Sequence, residues 1–251
     1  MAAARNNRRR YRRRGRFGFL YKLLAIVAVT VAVIAGATVF FRVQTVTVSG
    51  NLRYTSQEIV EVSQVQQGDN LFRLNKYEIA RRIRKELPYV DRVSIRRALP
   101  DTLLITVGEC RAAARVAGRE GAWLINAGGK LLEPAGQTEV LMVKGIEALQ
   151  PDAGSSILVR EEQQSRCDEL ISLLGSLEEL EMLDRVTEIN LRSASRILME
   201  MDGRFTVRLP AGGDFDYLLR AMEKAVQSLD DYETGTLDLT VKDYTVVFSP
   251  A

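Results

Sequence analysis

The chain has 251 residues, 46% of them hydrophobic, which is enough for one or two folded domains. It has no histidine and only two cysteines, Cys110 and Cys167, which excludes histidine acid/base chemistry and a zinc site of the ordinary Cys/His kind. A net charge of +3 hides an asymmetry: residues 1–22 carry eight arginines and Lys22 without a single acid, and the remainder is acidic on balance.

The first element is Leu23 to Phe41, 19 residues without a charge. As a helix this run is roughly 28 Å long and matches a bilayer core of about 30 Å, so residues 23–41 read as a transmembrane helix behind a basic tail, residues 1–22. Arg8, Arg9, Arg10, Arg12, Arg13, Arg14, Arg16 and Lys22 crowd one flank and only Arg42 closes the other. The positive-inside rule then keeps the N-terminus cytoplasmic and exports the rest. Ala35-Gly36-Ala37 offers a signal-peptidase reading and Arg13-Arg14 a twin-arginine one, but the apolar run continues past Ala37, which favours a retained anchor. Arginines beside a span serve topology and anionic lipid more often than nucleic acid.

Val46 and Val48 alternate with threonines before Ser49-Gly50-Asn51, the pattern of a strand. Thr55 and Glu58 have capping-box spacing at a helix start, and Asn75 with Glu78 repeats the device before a helix that stops at Pro88. Ile79, Ile83 and Leu87 share that helix's inner face, with Arg82, Arg84 and Lys85 on the wet side. Two strands follow about Pro100-Asp101, with Val93 and Ile95 inward on one and Leu103, Ile105 and Val107 on the other. The order is β-α-α-β-β.

Beyond it, "WLINAGGKLLEP" reads as a hairpin and "VKGI" as a strand, and residues 160–183 form a helical stretch. "RVTEINLRSASRILMEMDGRFTVRL" supplies three strands with Asp202-Gly203 as a two-residue turn. A helix over 215–229 buries Leu218, Met222, Ala225 and Leu229, and "TLDLTVKDYTVVF" is one final strand with an uncovered outer edge.

"LPYVDRVSIRRALPDTLLITVGE", placed after β-α-α and just outside a span, resembles the end of a POTRA domain, and the whole chain is similar to the bacterial cell-division family known as FtsQ or DivIB. Pro88, Val90, Pro100, Thr102, Leu103, Ile105, Val107 and Glu109 stand in that family's hairpin pattern, although Cys110 replaces a usual arginine and "RLPAGGD" lacks the usual Leu-Gly. The resemblance implies an α+β architecture: the transmembrane helix, a POTRA domain over 42–109, and a larger mixed α/β domain over 110–251 with a mainly antiparallel sheet. It also implies a single-pass protein of the cell membrane at the division septum, whose partners are FtsB/DivIC-like and FtsL-like single-span proteins and the septal peptidoglycan synthase complex. The FtsB/DivIC-type partner would add a strand at the C-terminal edge, around Val241, Lys242, Asp243, Tyr244, Val246 and Phe248.

No nucleophile with a base, no metal-ligand cluster and no phosphate loop is visible, so no enzyme and no cofactor is expected. Glu161-Glu162 and Glu178-Glu179 read as solvated faces. Cys110 and Cys167 read as inert thiols by default, with pairing left open. The reading is a non-enzymatic divisome scaffold; the alternative is a POTRA-type export or outer-membrane assembly factor that binds polypeptide by strand addition.

Overall fold

The computed structural model describes residues 17–241 and 245–251. The chain divides into two compact units, one of residues 1–47, 65–74 and 96–104, the other of residues 48–64, 75–95 and 105–251. Arg8, Arg9, Arg10, Arg12, Arg13, Arg14 and Arg16 lie outside the described residues.

In the first unit α1 (Phe17–Phe40) includes the 18-residue segment Phe19–Gly36, whose one charge is Lys22 near its start and which is apolar and long enough to cross a membrane. The helix starts six residues before the expected Leu23: Phe17 to Lys22 holds no proline, and its one poor helix former, Gly18, falls in the first turn. Leu20, Leu24, Ile26 and Ile34 are each more than half exposed, with no core of the described residues over them, which suits a lipid environment. After Phe40 the backbone is clasped at once by the loop at 68–71: the Val43 amide donates to the Asp69 carbonyl at 2.8 Å and the Leu71 amide to the Phe41 carbonyl at 3.0 Å. Val43 and Leu71 are buried.

Strands β1 (Thr45–Ser49), β2 (Val90–Ala98) and β3 (Thr102–Glu109) form a three-stranded sheet in the order β1-β3-β2, with α2 (Ser56–Ser63) and α3 (Lys76–Glu86) between β1 and β2. This is the expected β-α-α-β-β order. The capping box at α2 is closed in both directions: the Thr55 amide donates to Glu58 at 2.7 Å and the Glu58 amide to the Thr55 hydroxyl at 3.2 Å. The Thr55 amide, and after it the Thr55 hydroxyl, which also donates to the Glu58 carboxylate at 2.7 Å, hold that carboxyl below its usual range. Asn75 caps α3, while Glu78 turns to Arg81 instead of back to the cap. Ile79, Ile83 and Leu87 are buried as their spacing requires. Arg82 departs from expectation: it is half-buried, and its guanidinium donates to the Ser63 carbonyl at 2.8 Å, satisfying a group at the C-terminal end of α2.

In the second unit, β4 (Ala114–Gly118), β5 (Gly121–Ile125), β6 (Leu131–Pro134), β7 (Leu141–Ala148), β8 (Val186–Asn190), β9 (Arg196–Met201), β10 (Phe205–Pro210), β11 (Gly235–Asp238) and β12 (Val247–Pro250) form one nine-stranded sheet, ordered β12-β11-β10-β9-β8-β7-β4-β5-β6. Five of its eight adjacent pairings are antiparallel. Two helices, α4 (Gln164–Glu179) and α5 (Phe215–Val226), contact each other and share a single apolar core with the sheet. Leu170, Leu173, Leu174 and Leu177 from α4 and Leu218, Leu219 and Met222 from α5 are fully buried there, each worth roughly 1.5–3 kcal/mol relative to exposure. The helix expected to reach 229 ends at Val226, and Ala225 and Leu229 are half-buried.

Asp202 and Gly203 both have positive φ, 56° and 64°, and the Arg204 amide closes the turn on the Met201 carbonyl at 3.1 Å; the loop between the paired Met201 and Phe205 is one residue longer than the expected two. Gly145 in "VKGI" is required for a different reason. With φ at 95°, a Cβ there would sit 2.8 Å from the backbone of Leu191 and Arg192, where β8 runs off beside β7.

Within the same unit, the glutamate that closes the plain hairpin has a structural task. The Glu109 carboxylate accepts the Leu52 and Arg53 amides at 3.0 and 2.8 Å and so fixes the loop before α2. Arg53 then lies over the Tyr89 ring, 3.8 Å from its centroid, and pairs with Glu133 of β6 at 3.4 Å. The Tyr89 hydroxyl donates to the same Glu133, and burial followed by that bond pushes its pKa up to about 12. Lys130 donates to the Val90 carbonyl at 2.8 Å, and its burial pushes its pKa down. Both cysteines are free thiols, and burial pushes the pKa of each up.

Candidate functional site

The segment expected to be a single final strand is two. β11 covers Gly235–Asp238, the chain then leaves the sheet, and it returns as β12, Val247–Pro250. The break follows from local chemistry: the Asp238 carboxylate accepts both the amide and the hydroxyl of Thr240, at 2.9 and 2.6 Å, a side-chain turn that competes with a continued ladder. Burial pulls the Asp238 pKa upward, but the Thr240 bonds and Arg208 at 3.4 Å outweigh it and hold the carboxyl below its usual range.

β11 is paired on both sides, parallel to β10 and antiparallel to β12, with Leu237 opposite Val207 and Phe248. The sheet therefore ends at β12, where the outer row of amides and carbonyls faces no other strand among the described residues. Phe248 holds this last strand down. Half-buried, it meets the Phe205 ring edge to face at 6.3 Å, and Val246 packs against the same core. Val247 points the other way and is 40% exposed. The loop that leads into β11 is stapled by Arg204, whose guanidinium donates to the Asp230 carbonyl at 2.7 Å and the Glu233 carbonyl at 3.0 Å.

Of the residues expected at the docking edge, Val241 lies exposed just after β11, Val246 and Phe248 are half-buried on the core, and Lys242, Asp243 and Tyr244 lie outside the described residues. Lys22 falls within the first turns of α1. Val246 and Phe248 keep the phase expected of them, and Val247, between them, is the exposed residue that the sequence reading did not single out. The only local signal for the true edge was Pro250, a residue that sheets tolerate at edges.

The opposite edge, β6, is built differently. The Leu131 amide donates to the Ser155 carbonyl, the Gly154 amide to the Leu131 carbonyl and the Ile157 amide to the Gly129 carbonyl, each at 2.8 Å, so residues 154–157 lie over it. Among the described residues no group of three or more Cys, Asp or Glu side chains is placed to hold a metal ion.

Comparison with known proteins bears on the β-α-α-β-β part of this architecture. The family described as POTRA domain, FtsQ-type, matches residues 41–109. The chain is 27% identical over 231 residues to the cell division protein FtsQ of Syntrophotalea carbinolica, covering 86% of this chain and 79% of that one. It is 35% identical over 94 residues to DivIB of Clostridium acetobutylicum, covering 38% and 37% of the two chains, and 32% identical over 164 residues to FtsQ of Geotalea daltonii, covering 63% and 56%. A solved structure, the major extracytoplasmic domain of DivIB from Geobacillus stearothermophilus, overlaps with 17% identity and a TM-score of 0.30, covering 50% of this chain and 98% of that one. The chain thus carries an FtsQ-type POTRA domain over residues 41–109 and is similar, over most of its length, to cell division proteins named FtsQ and, over a shorter stretch, to one named DivIB.

Proposed function

We propose that the protein is a non-enzymatic scaffold of the division septum. The chain works as four parts: a cytoplasmic basic tail (1–22), a span (23–41), a POTRA domain (42–109) and a sheet domain (110–251), the last two outside the membrane. The scaffold recruits FtsB/DivIC-like and FtsL-like single-span proteins and, with them, the septal peptidoglycan synthase complex. The FtsB/DivIC-like partner adds a strand to β12, contacting Val241, Lys242, Asp243, Tyr244, Val246 and Phe248.

The observation that carries this reading is the asymmetry of the nine-stranded sheet: the start of one edge strand is overlaid by the chain itself, and the other edge faces no further strand among the described residues. In strand addition the backbone supplies affinity and a few side chains supply selectivity. Calorimetric titration of the partner's extracytoplasmic segment into the full chain tests it. Val247→Asp and Tyr244→Ala are expected to weaken the complex by about 1–3 kcal/mol each. Unchanged affinity in both would remove β12 from the binding site. Orientation is tested by thiol labelling in intact cells, where an engineered cysteine at position 120 is expected to react and one at position 7 to be protected.

A further inference from the structure

We infer that the loop 68–74 of the first unit is a membrane foot that rests in the lipid headgroups of the leaflet where α1 emerges, with Phe72 as its apolar anchor and Arg42 and Arg73 as its phosphate contacts. The inference rests on α1 spanning the bilayer. Its geometry then follows from chain continuity. Phe40 ends α1, and residues 41–43 are bonded to the loop without an intervening linker: Leu71 to Phe41 at 3.0 Å, Val43 to Asp69 at 2.8 Å and Gly68 to Val43 at 2.8 Å. Arg42 and Asn70 form an antiparallel bridge in the middle of this clasp. Three residues of extended chain reach about 10 Å, so the loop cannot leave the interfacial layer of a bilayer that ends near Phe40.

The side chains suit that layer. The rings of Phe40, Phe41 and Phe72 run edge to face in series, at 5.3 and 5.1 Å, which continues the aromatic end of the span onto the loop. Phe72 is 52% exposed, and Leu99 at the β2–β3 turn is 57% exposed. Arg97 lies over the Phe72 ring, 5.6 Å from its centroid, and donates to the Leu74 carbonyl at 3.1 Å, so a second contact from the same unit steadies the ring. Arg42 and Arg73 are exposed and line, with Gly68, Asp69, Asn70 and Leu74, a recess of about 510 Å³. The Asp69 carboxylate in that recess is engaged by the Gln66 amide at 2.9 Å, and among the described residues neither arginine has an ion pair. A guanidinium fork beside a headgroup layer binds phosphate in two-pronged fashion.

Depth-dependent fluorescence quenching of the full chain in lipid nanodiscs tests this. The single natural tryptophan, Trp123, is replaced by Phe, and one tryptophan is placed at Phe72, at Ile26 within α1, or at the exposed Tyr232. If Trp123→Phe impairs folding, Trp123 is kept and its emission subtracted. Phe72→Trp is expected to emit to the blue of Tyr232→Trp and to be quenched by spin labels near the headgroup more than by labels at the chain ends. Ile26→Trp is expected to be quenched by the deep labels. If position 72 behaves like position 232 while position 26 is quenched, the span stands and the foot is overturned. If position 26 also escapes quenching, the span reading falls and the foot with it. Replacing Arg42 and Arg73 together by Ser is expected to reduce shallow quenching at position 72, and replacing both by Lys to retain most of it. Equal quenching in the two pairs would overturn the phosphate contacts.

Discussion

At the β6 edge of the nine-stranded sheet the chain lays residues 154–157 over its own strand, and Glu133 adds a tie to Tyr89 and Arg53. At the β12 edge four residues are held by one neighbour and one ring contact. Both edges belong to the same sheet and face the same hazard of unplanned pairing. The difference shows that covering an edge lay within this fold's means. A short edge flanked by Pro250 limits unplanned pairing, and on the proposed function it is the surface that takes the partner's strand.

The comparison breaks most visibly if the two edges respond alike to a charge. Leu131→Asp on β6 places a carboxylate at a site 1% exposed and is expected to destabilise the chain by about 3 kcal/mol or more, read as a collapse of the thermal transition. Phe248→Ala is next. It removes the ring that seats β12 on Phe205 and is expected to cost about 1–3 kcal/mol in chemical denaturation, so the partner-binding loss of this variant must be corrected for fraying of the strand.

Tyr89→Phe probes the β6 side through its proton. The folded pKa of about 12 lies above the unfolded value near 10, so the folded state favours the neutral phenol. That contribution is complete below about pH 10 and is lost as pH rises toward 12. Wild type is expected to lose stability over that window, and Tyr89→Phe to lose about 1 kcal/mol at neutral pH and to show a flatter alkaline limb. Phe248→Ala should keep the wild-type alkaline profile. The smallest effect belongs to Val247→Asp: at a side chain 40% exposed it is expected to shift stability by less than about 0.5 kcal/mol, while weakening partner binding.

Most of the architecture was legible along the chain because it rests on local rules. Uninterrupted apolar length marked α1, the Thr55–Glu58 spacing marked α2, the Ile79-Ile83-Leu87 stripe marked the buried face of α3, and Asp202-Gly203 marked the β9–β10 turn. Each depends on contacts within a few residues, and composition and spacing specify those. Three features did not follow local rules. Arg82 sits on what spacing calls the wet side of α3, yet α2 brings the Ser63 carbonyl to it from 19 residues away. Glu109 ends an unremarkable hairpin, yet its carboxylate organises amides 56 and 57 residues earlier. The segment 236–248 alternates well enough for a single strand, but parallel pairing of β11 with β10 and the Asp238–Thr240 turn divide it in two. Which strand becomes an edge, and whether that edge is covered, depends on the order of all nine strands; that order is set by packing two helices and a sheet around one core, an interaction among distant residues that no local pattern encodes.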